Sequence, residues 1–156
     1  IYYSVKKNMT ACKPNTPITS NVKYERIPQW GSKIFNKLRY KFDAKYMNNE
    51  ECKNIIIQEY DIGIGIQAHT DDINWWTGWV LGLSLGSGAY MVFRKNNKKT
   101  VKVYLPPRSS YLMEDEARNK WTHGIDNVNY DIVDNVKIDR NRRTSLTFRN
   151  VKMNYV

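Results

Sequence analysis

Histidine is scarce in this chain: His69 and His123 are the only two in 156 residues. Any imidazole chemistry must therefore use one or both of them. Cysteine is equally scarce. Cys12 and Cys52 are too few for a disulfide framework, which favours a reducing compartment. Their spacing from each other and from the histidines fits no zinc pattern. No apolar run approaches the length that crosses a bilayer, and no signal-peptide pattern opens the chain. Gly63 and Gly65 lack the third glycine of a dinucleotide loop, and no GK[ST] occurs, which excludes the common phosphate loops. No internal repeat is present. Acidic residues are outnumbered, 15 against 25 Lys and Arg, for a net charge of +10. Such an excess predicts attraction to polyanions, nucleic acid first, although lysine-rich surfaces also serve solubility.

What remains describes one folded domain. Hydrophobic residues make up 41% and aromatics 13%, and 156 residues suffice for a substantial core. The first residue is Ile1, not Met, so a segment upstream is left open. The expectation is a single domain over residues 1–156. Residues 1–54 form an N-terminal extension with one support helix, and 55–151 form the core. Residues 1–26, with Pro14 and Pro17, read as irregular. Pro28 suits a first helical turn, and Ile27, Trp30, Ile34 and Leu38 follow at helical spacing, with Phe35 alongside. From Ile55 onward the pattern is one of strands: Ile55–Tyr60, Trp79–Leu85, Ala89–Arg94, Thr100–Leu105, Ser110–Asp115, Lys120–Gly124 and Thr144–Val151. Short strands separated by turn signals point to a sandwich, barrel or jelly roll. Asp126 to Arg142 is polar, without clean periodicity, and reads as a long loop.

The chemistry concentrates in two places. Ile55-Ile56-Ile57 opens a stretch that passes two glycines and delivers His69-Thr70-Asp71. Where a strand ends, residues i and i+2 face the same way, so imidazole and carboxylate can aim at one point. Two histidines and one carboxylate, with open positions left over, suit a non-haem iron centre. The only available third ligand is His123, 54 residues on, in Lys120-Trp121-Thr122-His123-Gly124-Ile125. The second place is Arg143-Thr144-Ser145-Leu146-Thr147-Phe148-Arg149. Six residues apart on a strand, the two guanidiniums share a face while Leu146 and Phe148 take the other. Such a pair can hold a dicarboxylate or a phosphate.

HxD, a histidine 54 residues later and Arg-x5-Arg, with Gln58-Glu59-Tyr60 upstream, together resemble the AlkB family of iron- and 2-oxoglutarate-dependent dioxygenases. The resemblance covers roughly Ile55 to Val151. LGLSLGSGAYMVF, LPPRSSYLM, KWTHGI and RRTSLTFRNV are most similar to the animal AlkB homologues that act on tRNA. It implies a mostly β fold with a flanking helix, a double-stranded β-helix or jelly roll. It implies His69, Asp71 and His123 as ligands of Fe(II). Arg143 would grip the distal carboxylate of 2-oxoglutarate and Arg149 the end near the metal, with Tyr60 bonding the co-substrate. Gln58 stands where the family usually has Asn. In the family, O2 oxidises 2-oxoglutarate to succinate and CO2 as the substrate is hydroxylated, and a hydroxylated N-methyl group leaves as formaldehyde.

The expected activity is therefore an oxidoreductase acting on nucleic acid. It would demethylate N-alkylated bases or hydroxylate a modified tRNA base. A paired base is unreachable in its stack, so the substrate is a flipped or single-stranded nucleotide in RNA, tRNA first, or in single-stranded DNA. Tyr2, Tyr3, Trp75, Trp76 and Arg118 are the candidate substrate contacts: the tyrosines, in the N-terminal region where the family carries its substrate lid, by stacking on the base, and the tryptophans by packing the loop near the site. The alternatives are a protein side-chain hydroxylase or demethylase on the same fold, and a non-catalytic RNA-binding module. The expected setting is intracellular, cytoplasmic or nuclear, without a membrane partner; the oligomeric state is left open, with a monomer favoured.

Overall fold

In the computed structural model, residues 27–42, 47, 52–96 and 98–150 are described in full and residues 2–7 as backbone. Helix α1 (Gln29–Arg39) opens after the extended backbone of Pro28 and closes with Lys37 and Arg39 in its last turn. Cations there oppose the negative end of the helix dipole. Gly31, Phe35 and Leu38 are its buried residues. Trp30, which its spacing places on the buried stripe, is instead 42% exposed. The helix rolls toward its smallest residue: a methyl on Gly31 would stand 2.6 Å from Ile55 Cδ1.

The strands run β1 (Tyr2–Lys7), β2 (Asn54–Tyr60), β3 (Ile66–His69), β4 (Trp79–Gly86), β5 (Ala89–Lys95), β6 (Lys99–Leu105), β7 (Ser109–Glu114), β8 (Thr122–Ile125), β9 (Tyr130–Val133), β10 (Val136–Asp139) and β11 (Arg143–Arg149). A short helix α2 (Asp115–Asn119) joins β7 to β8. The strands form a major sheet ordered β1-β2-β11-β4-β7, a minor sheet ordered β3-β8-β5-β6 and a separate β9–β10 hairpin. This is the mostly β, jelly-roll architecture expected from the sequence.

Register decides what each face of the major sheet carries. Arg143, Ser145 and Arg149 on β11 lie opposite Tyr60, Gln58 and Asn54 on β2. On the other flank Ser145 faces Ser84, and Ser84 faces Ser109. The alternate set comprises Ile55, Leu81, Leu146 and Phe148, and with Phe35, Leu38, Met47 and Trp79 these make up the buried apolar cluster. Phe35 stacks on Trp79 at 5.6 Å between ring centroids and lies 6.0 Å from Phe148. The core thus sits between the helix and the outside of the major sheet. The opposite face is polar.

Gly82 holds the centre of that polar face. A Cβ there would run into the Tyr111 ring on the neighbouring strand. Gly82→Ala is expected to destabilise the fold by about 1–3 kcal/mol through overpacking. Adding Tyr111→Ala should recover part of the loss. An unchanged urea midpoint in the single variant would mean that the ring has room to give.

Five expectations need correction. Residues 2–7 form a strand, parallel to β2, where the composition reads as irregular; pairing with an open strand edge overrides weak local preference. Ile66–His69 is a strand in its own right, reached through a turn in which Gly63 takes φ +77°. The strand expected to reach Asp115 stops at Glu114, and Asp115 begins α2. The strand expected from Lys120 begins at Thr122. The expected 126–142 loop contains the β9–β10 hairpin, turning on Asp134 and Asn135 with φ of 51° and 65°. Two consecutive left-handed residues match the twist of a tight hairpin, and Asp and Asn tolerate them. Arg140 fastens this hairpin from inside, gripping Asp131 through Nε at 2.7 Å and Nη2 at 2.9 Å, and donating to the Asp126 carbonyl.

Candidate metal and co-substrate site

The minor sheet assembles the histidines. His69 ends β3 and lies opposite His123 on β8, with ring centroids 4.5 Å apart. His69 Nδ1 lies 2.9 Å from the Gln67 carbonyl. A hydrogen bond donated there fixes the tautomer and leaves Nε2 as the free ligand. Asp71 follows in the loop and sends Oδ2 to within 4.0 Å of His123 Nε2. That is too far for a hydrogen bond. Burial, with His69 nearby, lowers the pKa of His123 to about 4, so the imidazole is neutral at physiological pH. Its Nδ1 is buried without a hydrogen-bond partner among the described residues.

Burial alone would raise the Asp71 carboxyl, but Arg149, with His123, His69 and Arg118 behind it, holds it below its ordinary value. A neutral imidazole and an ionised carboxylate facing one another across an unbridged gap suit a divalent cation. Among the described residues no group of three His, Cys, Asp or Glu side chains is placed to hold a metal ion. Register and ring contact bring the two histidines together, and Asp71 approaches His123 without reaching coordination distance.

Behind Asp71 stand the arginines. Arg149 Nη1 donates to Asp71 Oδ1 at 2.7 Å, and its guanidinium lies 4.4 Å from the centre of the Trp76 ring. Its Nε is buried with no partner among the described residues, as is Ser109 Oγ. Arg143 donates from Nε to Ser84 Oγ at 3.0 Å and lies over the Tyr60 ring at 5.5 Å. Burial pulls its pKa below the ordinary arginine value, partly offset by Tyr111 and Tyr60, yet an arginine remains charged. Tyr60 is buried, shares a hydrogen bond with Ser145 and has its phenol pKa raised by burial. A small cleft lined by Tyr60, Gly65, Ala89, Ile125, Arg140 and Arg143 opens at this end. Two buried cations with unspent donors on one polar wall fit a small dianion, since an unpaired buried charge would be costly.

The remaining candidates fall differently. Gln58 lies on the polar face opposite Ser145, half-buried. Trp76 packs on Arg149, whereas Trp75 is 49% exposed in the loop that follows Asp71. Tyr2 and Tyr3 lie on β1 opposite Asn54 and Ile55; their side chains fall outside the described residues. Arg118, expected as a substrate contact, is 1% exposed and donates to the carbonyls of Asp71 and Asp72 at 2.9 and 3.3 Å. It clamps the loop that carries Asp71. Sequence reasoning missed Tyr111, which lies beside the site and whose phenol burial pushes up to about 12. A glycine in the middle of the apolar strand Trp79–Gly86 is the sign that a ring crosses there.

Comparison with known proteins follows the same outline. A mimivirus protein, "Uncharacterized protein L905" of Acanthamoeba polyphaga mimivirus, is 46% identical over 128 residues, 81% of this chain and 59% of that one. The mouse tRNA (carboxymethyluridine(34)-5-O)-methyltransferase ALKBH8 is 33% identical over 142 residues, which are 81% of this chain but 21% of that protein. The Arabidopsis thaliana "Alkylated DNA repair protein ALKBH8 homolog" is 28% identical, over 90% of this chain and 46% of its own length. The chain therefore spans only part of each of these relatives. The solved structure of OsALKBH1 superposes with a TM-score of 0.59 at 21% identity, covering 88% of this chain and 72% of that one, a likeness of fold. The model of the 2OG-Fe(II) oxygenase superfamily matches residues 4–149, so this chain belongs to that superfamily of dioxygenases.

Proposed function

We propose that this chain is an Fe(II)- and 2-oxoglutarate-dependent dioxygenase acting on nucleic acid. Its reaction would be oxidative demethylation of an N-alkylated base or hydroxylation of a modified tRNA base. The observation that supports this is the pairing of His69 with His123, with Asp71 Oδ2 4.0 Å from His123 Nε2 and bonded to Arg149, which shares one face of β11 with Arg143. His69, Asp71 and His123 would hold the iron, which supplies O2 activation when bound. Arg143, with Ser84 orienting its fork, would take the distal carboxylate of 2-oxoglutarate. Arg149 would neutralise charge beside the metal while steadying Asp71. Tyr60 and Gln58 would line the co-substrate from β2.

Nucleic acid is favoured over protein as the substrate by the net charge of +10 and by the tRNA and DNA named for the mouse and Arabidopsis relatives. Methyl transfer, named for the mouse protein, is not carried over, because this chain aligns with only 21% of it. Trp75, exposed in the loop that follows Asp71, is the first candidate for stacking on the target base, and Tyr2 and Tyr3 the next.

Incubation with Fe(II), 2-oxoglutarate and total tRNA, followed by succinate assay and nucleoside mass spectrometry, tests the reading. The expected result is succinate formed in step with loss or hydroxylation of one modified nucleoside. Turnover on peptides but on no RNA or DNA would redirect it to a protein hydroxylase. RNA binding that survives His69→Ala, with no 2-oxoglutarate consumed by the parent protein, would leave a binding module.

A further inference from the structure

The β5–β6 hairpin carries a charge distribution that the site does not use. Between Ile73 and Met113 the sequence contains no Asp or Glu, and five of the six cations in that span, Arg94, Lys95, Lys98, Lys99 and Lys102, fall on this hairpin. Two are neutralised by neighbouring elements: Arg94 pairs with Asp126 at 3.2 Å and Lys95 with Glu116 at 3.1 Å. Lys98, Lys99 and Lys102 are exposed and enter no ion pair among the described residues.

Their position follows from register. Across the minor sheet His69 faces His123, His123 faces Phe93, and Phe93 faces Val101 on the edge strand β6. Phe93 and His123 are in ring contact at 6.2 Å. At about 4.8 Å per strand, Val101 stands roughly 10 Å from His123 on the same face, within the reach of one nucleotide. Val101 is 49% and Val103 43% exposed, so this face of the edge strand presents apolar surface with Lys99 beside it, while Lys102 alternates to the opposite face and Lys98 sits in the turn. Lysines on an edge strand also discourage pairing between copies, but that role does not require the edge to end the row of residues leading to the histidines.

We propose that the β5–β6 hairpin is the phosphate-binding arm of the protein. Lys98, Lys99 and Lys102 would hold the nucleic-acid backbone on either side of the target nucleotide, while Val101 and Val103 face the sugar or base that passes inward. A flipped base enters a pocket while its phosphates stay at the mouth, and β6 would line that mouth. This rests on the proposed function and names the surface through which it is exercised.

The test measures affinity of the full chain for a tRNA anticodon stem-loop across a salt series. K98Q/K99Q/K102Q should flatten the plot of log K against log salt by about 2, at roughly 0.7 per single-strand phosphate contact. K33Q/K37Q/K41Q removes the same charge from α1 and its flank, on the far side of the major sheet, and should leave the slope unchanged. Equal flattening in both variants, or in neither, overturns the hairpin as an interface. In that case succinate formation with modified tRNA still stands as the separate measure of function. Loss of binding to phosphatidylserine vesicles with RNA binding intact would also overturn the proposal. A parent protein that binds neither RNA nor DNA would sink the arm and the substrate class together.

Discussion

His123→Ala is expected to abolish iron-dependent turnover, with succinate formation falling by three orders of magnitude or more and Fe(II) or Mn(II) affinity falling in parallel. The chain has no third histidine to substitute. The lost imidazole is also the one that is buried, neutral at physiological pH and aimed at Asp71. It enters the metal site without releasing a proton, so its affinity is not discounted by deprotonation. The fold should survive, because His123 contributes nothing to the apolar cluster behind the major sheet. Circular dichroism and a urea midpoint close to the parent protein's would separate loss of the centre from loss of structure. Retained 2-oxoglutarate consumption in a folded His123→Ala protein would refute the assignment of the triad.

Arg143→Ala should weaken 2-oxoglutarate binding by roughly 100-fold, the equivalent of about 3 kcal/mol for a charge-assisted bond lost in a buried site. Metal affinity should change little, because Arg143 bonds Ser84 and overlies Tyr60 without touching Asp71. Arg149→Ala should behave otherwise. It removes the 2.7 Å partner of Asp71 and so weakens metal and co-substrate together. Arg143→Lys is expected to fall between, since an ammonium keeps the charge but loses the planar fork. Titration of each variant with Mn(II) and 2-oxoglutarate by calorimetry distinguishes these patterns. Equal loss of both ligands in Arg143→Ala would show the residue to be a fold determinant instead.

Much of this was legible before any coordinates. The triad and the paired arginines could be named because they depend on spacing: i and i+2 at a strand end, six residues along a strand. The long strands β2, β4, β5 and β6 announced themselves through β-branched or apolar runs bounded by turn residues. The β9–β10 hairpin did not, since its strands are four residues each and its Asp-Asn turn lacks the glycine that usually marks such a bend. Arg118 could be seen near His123 in sequence, but its target is a pair of carbonyls on a distant loop, and backbone acceptors leave no mark on composition. Tyr111 was hidden for a similar reason: the space it occupies is made by a glycine on another strand.

The major sheet acts as a partition. The apolar cluster under the helix lies on one side of a single layer of backbone, and what would perform chemistry lies on the other. Residues one step apart on β11, such as Ser145 and Leu146, therefore answer to different demands. Redesign of the cavity for another diacid or another nucleotide can proceed with little debt to the foundations, while errors in the apolar layer would unseat both arginines at once.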